Sequence, residues 1–262
     1  LGILIIISSL LKAIIKESTT FLNVNVGKNL KGLFKQKKDV KTYLFAAFNS
    51  VADGVILLFL SLYILIQMGI IESQGLSLTL SPQGDDTAFL FQAYISLTVS
   101  AGIIAGAILG GAIADLKSRR SGVYSGMLFT SGSIFLILLS NNPIYFFIVA
   151  CIIGIGVGWR HSAYSAVVAQ MAKYHPEIDS TYFAWCNSLS NLGSTLGLLF
   201  MGMLFAETGS YALIFIIIAF AQLINLIPFS AMEPKLYEVS PEVVEIKKIG
   251  KEENKLRKEV QE

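Results

Sequence analysis

The apolar residues of this chain are gathered into continuous blocks of about twenty or more, and that grouping limits the folds open to it more than any other feature. A block of that length, rising about 1.5 Å per residue as a helix, crosses a hydrocarbon core of about 30 Å. Seven segments separate at turn signals: 1 to 15, 42 to 69, 87 to 114, 121 to 140, 143 to 172, 180 to 206 and 210 to 232. None alternates apolar and polar residues over about ten positions, as a membrane β-barrel strand does. Lipid offers the backbone no hydrogen bonds, so helices are what remains. The fold class expected is all-α, a polytopic membrane helical bundle. Composition agrees, because only 15% of the residues are charged, against about 25% in a soluble domain.

The first segment is too short to span. Fifteen residues reach roughly 22 Å, no basic stretch precedes them, and no small-residue cleavage site follows, so they do not read as a signal peptide. The expectation is a truncated transmembrane helix at 1 to 15, a basic cytoplasmic loop at 16 to 41, a bundle of six complete helices over 42 to 232, and a charged cytoplasmic tail at 233 to 262. Lys and Arg set the orientation. They crowd the connection at 16 to 41, recur as Lys117, Arg119, Arg120 and Lys173, and return in the tail, whereas the intervening loops have none. Alternate loops therefore face opposite sides, with the C-terminus in the cytoplasm of a cell-membrane protein.

Within the six complete spans only Asp53 and Arg160 carry formal charge, and His161 adjoins the latter. Charge at that depth is costly and needs a partner, a wet cavity or a task. Asn49 lies one turn before Asp53, so each of the two helices presents a polar patch near the midplane. Two readings follow. The residues line a solute cavity, or Asp53 and Arg160 form an ion pair that locks two helices together. Asn187 is the one further amide placed in the site; Asn191, Gln92, Gln222 and Asn225 read as helix-packing amides. Gly102, Gly106 and Gly110, with Ser190, Gly193, Ser194 and Gly197, let helix backbones approach closely. Cys151 and Cys186 fall inside apolar blocks and read as small hydrophobes.

One loop carries a motif. Gly111-Ala-Ile-Ala-Asp115-Leu-Lys-Ser-Arg119-Arg120 follows the second complete span, and there the chain resembles the major facilitator superfamily. That family's cytoplasmic signature is Gly, three residues, Asp, basic, any, Gly, Arg and a further basic residue. Gly111, Asp115, Arg119 and Arg120 match it, while Leu116 and Ser118 depart from it. Gly154-Ile-Gly-Val-Gly158 is similar to the glycine-rich stretch of the family's tenth helix. The resemblance implies that 42 to 232 is a carboxyl-terminal six-helix half, that an amino-terminal half is missing, and that the spans carrying Asp53 and Arg160 line a central cavity. It also implies alternating access, with Asp115 bracing a cytoplasmic gate near Ser180.

The expected function is secondary active transport of a small solute, with Asn49, Asp53, Arg160, His161 and Asn187 as its site and Asp53 or His161 as the groups for proton coupling. A midplane cation favours an anionic or polar solute. The alternative is a scaffold or receptor that does not transport. An intramembrane enzyme is not expected, since neither His-Glu-x-x-His nor Gly-x-Ser-x-Gly nor paired intramembrane carboxylates occur. No cofactor or metal is expected. Beyond the solute, the partners are membrane lipid and the missing half; the net charge of +2 leaves no basic surface for nucleic acid.

Overall fold

The protein is described by a computed structural model that covers residue 33 and residues 39–74, 77–80, 85–139, 142–176 and 178–238. The chain divides into two compact units, Leu1–Gln36 and Lys37–Glu262. Apart from Leu33, the first lies outside the described residues, and with it the expected helix at 1 to 15 and most of the basic loop. The tail beyond 238 lies outside them too.

The second unit is an all-α polytopic bundle. Its elements are α1 (Val40–Asn49), α2 (Asp53–Gln67), a hairpin of β1 (Ile71–Gln74) and β2 (Ser77–Leu80), α3 (Asp85–Leu116), α4 (Arg119–Leu136), α5 (Pro143–Ala172), α6 (Asp179–Thr208), α7 (Tyr211–Ile224), α8 (Leu226–Ser230) and α9 (Pro234–Tyr237). Among the described residues, five helices are long and apolar enough to cross a membrane, with α1 and α2 counting as one and α7 and α8 as another. The segment expected at 121 to 140 forms α4, 18 residues long, which is not one of the five. Its sequence is rich in Ser, Thr and Gly. Several of those hydroxyls turn back on the helix itself, Ser125 to the Ser121 carbonyl at 2.6 Å and Thr130 to the Gly126 carbonyl at 2.7 Å, and so keep their donors satisfied without water.

Local signals explain where helices begin and end. Ser118, Asn142 and Ser210 each accept a backbone N–H from the first turn of α4, α5 and α7, and Pro143 follows Asn142 where its missing N–H costs nothing. Gly209 closes α6 with φ +63°, a conformation that side-chain-bearing residues rarely adopt. Two spans expected to be continuous are broken. Pro228 has no N–H for the Ile224 carbonyl, so the last span divides at Asn225. The first divides over residues 50–52, where the Val51 and Asp53 amides reach back only three residues, to the Phe48 and Ser50 carbonyls.

Packing follows the small residues. A Cβ on Gly106 would overlap the Ile155 carbonyl and one on Gly158 the Ile103 carbonyl, so α3 and α5 meet backbone to backbone. On the other side of the unit, Gly193 and Gly197 of α6 abut the Ala47 and Val51 carbonyls beside the broken turn. Between these contacts lies an apolar core that includes Ile56, Phe59, Ile64, Phe146, Ile153 and Phe215. The expectation of a charged cytoplasmic tail at 233 to 262 leaves its packing open. Its described beginning is docked, with Tyr237 buried against the Phe229 ring at 5.1 Å and the Glu238 carboxylate accepting the Arg119 and Arg120 amides at 3.1 and 2.8 Å. The α4 amides that the Ser118 cap leaves free attract a carboxylate in this way.

Candidate functional site

The broken turn decides where the charge goes. Because α2 starts at Asp53, that carboxylate occupies a helix N-terminus, the end at which backbone amides and the helix dipole favour an anion. From α5, which runs antiparallel to it, Arg160 Nη2 donates to Asp53 Oδ1. His161 Nε2 lies 2.9 Å from Asp53 Oδ2. An ionised carboxylate only accepts, so Nε2 carries the proton in that bond. Arg160 is fully buried, the Asp53 side chain is 12% exposed, and the His161 side chain is 42% exposed. The cluster is thus anchored in the protein on one side and open on the other.

Arg160 is not saturated. Its Nε and Nη1 donors are buried with no hydrogen-bond partner among the described residues. A guanidinium presents five N–H donors, and here one carboxylate oxygen takes up only part of that capacity. Asn49 is also fully buried: its Nδ2 reaches Ser50 Oγ at 3.5 Å, while its Oδ1 has no partner among the described residues. Ser50 in turn shares a 2.5 Å hydrogen bond with Ser190 of α6. Three elements therefore converge on the broken turn, and each contributes a polar group.

Of the residues predicted from sequence, Asp53, Arg160 and His161 come together, while Asn49 is buried just before the break with Ser50 Oγ as its hydrogen-bond partner. Asn187, half-buried on α6, makes no hydrogen bond among the described residues. In the motif loop Gly111 lies under the Ser162 hydroxyl, and Asp115 is exposed at the end of α3 with no bond among the described residues. The Arg119 guanidinium donates to the Tyr237 carbonyl at 2.7 Å, and Arg120 contributes its backbone amide to Glu238. The start of α6 carries its own carboxylate, since Asp179 accepts the Ser180 amide at 2.6 Å. Ser50 and Ser190 were missed as site residues. A serine beside an Asn-x-x-x-Asp spacing is a weak sign, and only the break in the helix turns Ser50 toward α6.

These features define a class: a polytopic membrane bundle whose charged groups are held at a discontinuity in a spanning helix, the arrangement by which transporters present helix ends to a solute. The family model of the Major Facilitator Superfamily matches residues 42–258, and the chain belongs to that superfamily. It is a transporter family, and the chain is a multi-pass membrane protein of the transporter type. No curated protein matches the chain.

Proposed function

We propose that this chain moves a small solute across the cell membrane by alternating access, with Asp53, Arg160 and His161 as the charged centre of the solute site and Asn49 and Asn187 as its polar flank. The single observation that carries the reading is the partly exposed carboxylate shared between a fully buried arginine and a half-exposed histidine. A pair that served only to lock helices would have no use for the exposed third member or for the two donors left over on Arg160. Those donors suit an anionic or polar solute. When such a solute takes the guanidinium, Asp53 loses its counter-charge and is best left neutral, so a proton arriving through His161 accompanies the solute.

The rest of the family pattern is proposed on the same footing. The α4 helix makes the sixth crossing of the unit, the basic end faces the cytoplasm, and a second six-helix half closes the cavity. Broad exposed apolar faces on α3 and α6, with Leu97, Ile104 and Ile108 on one and Leu192, Leu196 and Leu199 on the other, suit contact with that half and with lipid. Gly111, Asp115, Arg119 and Arg120 then serve the cytoplasmic gate, with Asp115 as the member free to engage across it.

The test is uptake of a panel of labelled short-chain carboxylates and amino acids into vesicles holding the full-length protein, with and without an inward proton gradient. Uptake is expected to depend on the gradient, to vanish in Arg160→Ala, and to lose its gradient dependence in Asp53→Asn. Transport that survives both substitutions unchanged would exclude the site.

A further inference from the structure

The chain has two histidines, His161 and His175, and each meets an aspartate at the same register. His161 pairs with Asp53. Fourteen residues further along, His175 in the connection after α5 places Nε2 3.2 Å from Oδ2 of Asp39, which lies fourteen residues before Asp53. Asp39 stands just before α1 and His175 just beyond α5, so this pair closes the end of the seam whose middle holds Asp53 and His161. The two pairs are rungs of one antiparallel ladder, one at the broken turn and one at the basic end.

The lower rung is built, not incidental. Its side chains are 7% and 8% exposed, and the His175 ring stacks on Tyr182 of α6 with centroids 4.8 Å apart and planes 20° apart. Tyr43 packs on the same tyrosine at 5.7 Å. Among the described residues, the titratable groups facing Asp39 are His175, the Tyr43 and Tyr182 phenols and the Cys186 thiol. Of the nearby lysines, Lys41 is turned to the Ala231 carbonyl at 2.7 Å and Lys173 is exposed. Buried charge is cheapest when it sums to zero, and one shared proton achieves that for a carboxylate and an imidazole. Beside the lower pair the Thr42 and Tyr182 hydroxyls are buried, and Tyr164 of α5 packs on Phe45 of α1 with ring centroids 5.5 Å apart.

We infer that Asp39 and His175 form a second proton-binding site, at the basic end of the seam that carries Asp53 and His161. The pair also fastens the start of α1 to the connection between α5 and α6, so its protonation state bears on how firmly that end is closed. Burial pushes the Asp39 carboxyl above its ordinary range, against the opposing pull of His175. The binding of a proton at Asp39 does not depend on the proposed reading of Asp53.

The experiment is an infrared difference titration of the carboxyl stretch in the full-length protein in lipid vesicles, comparing wild type with Asp39→Asn, His175→Gln and Asp53→Asn. A protonated-carboxyl band is expected to titrate above the ordinary aspartate value of about 4. It should be absent from Asp39→Asn, present in Asp53→Asn, and moved to higher pH in His175→Gln, where the group that lowers it has gone. A wild-type spectrum with no band lost on Asp39→Asn overturns the inference, and so does a band that His175→Gln leaves in place. Should Asp39→Asn fail to fold, the comparison of wild type with His175→Gln decides alone. The titration reads Asp39 whatever Asp53 does in transport, so the proposed function and this inference can fail separately.

Discussion

The helix α5 has two seams, and they are made in opposite ways. Against α3 it presents Gly154 and Gly158, which admit backbone from the other helix and no side chain. Against α1 and α2 it presents Arg160 and His161, which meet a carboxylate across a break in the helix ladder. The glycine seam is dry and shape-determined, so its energy lies in dispersion and close fit. The charged seam depends on opposite charges staying paired out of water, which makes it sensitive to protons and to any solute that competes for a partner. Residues two positions apart, Gly158 and Arg160, thus serve rigidity and response.

Substitutions separate the two seams. The largest effect is expected from Arg160→Ala, which leaves Asp53 without its main counter-charge at a buried helix start; thermal unfolding in detergent should register a loss of about 3–5 kcal/mol. Adding Asp53→Asn should return a good part of it, because the stranded charge is then gone. Gly158→Val on the other seam drives a branched side chain into the Ile103 carbonyl and should cost about 1–3 kcal/mol or more, with no recovery from any change at Asp53. A smaller loss, about 1 kcal/mol, is expected for Ser50→Ala, which removes the hydrogen bond to Ser190 together with the long one from Asn49. Gly132→Ala lies on neither seam and meets open space, so it should stabilise α4 by about 0.5 kcal/mol. If Gly158→Val and Arg160→Ala rescue one another, the seams are not independent and the contrast collapses.

The basic end adds a pH test with a definite sign. The Asp39 carboxyl is raised in the folded protein, so the folded state binds its proton more tightly than the unfolded chain does. Stability from this group therefore rises as pH falls from the raised value toward the ordinary one of about 4, and is lost as pH climbs back through that window. The difference in melting temperature between wild type and Asp39→Asn should follow that course, and a difference independent of pH would exclude it.

Much of this was legible beforehand. The positions of five spans follow from block length, and the candidates Asp53, Arg160 and His161 follow from the cost of charge in oil; these three are the residues the structure brings together. The two pairings share a fourteen-residue offset that is visible in the sequence, yet His175 and Asp39 lie outside the apolar blocks, where charge is unremarkable and draws no attention. The docked start of the tail was also hidden, because Tyr237 and Glu238 look solvated until α4 supplies an open N-terminus and Phe229 a ring to cover.

Sequence by itself determined that this protein is a bundle of membrane helices and that few of its buried groups can carry charge, because lipid penalises any other backbone and any idle ion. Tertiary structure alone decided that the first span breaks after Asn49, that Asp53 thereby heads a helix, and that Arg160 reaches it with donors to spare. Hydrophobicity is a property of each residue and sums along the chain, whereas the partner of a charge is settled by which helices lie side by side, and glycines on α3, α5 and α6 settle that by letting backbones touch.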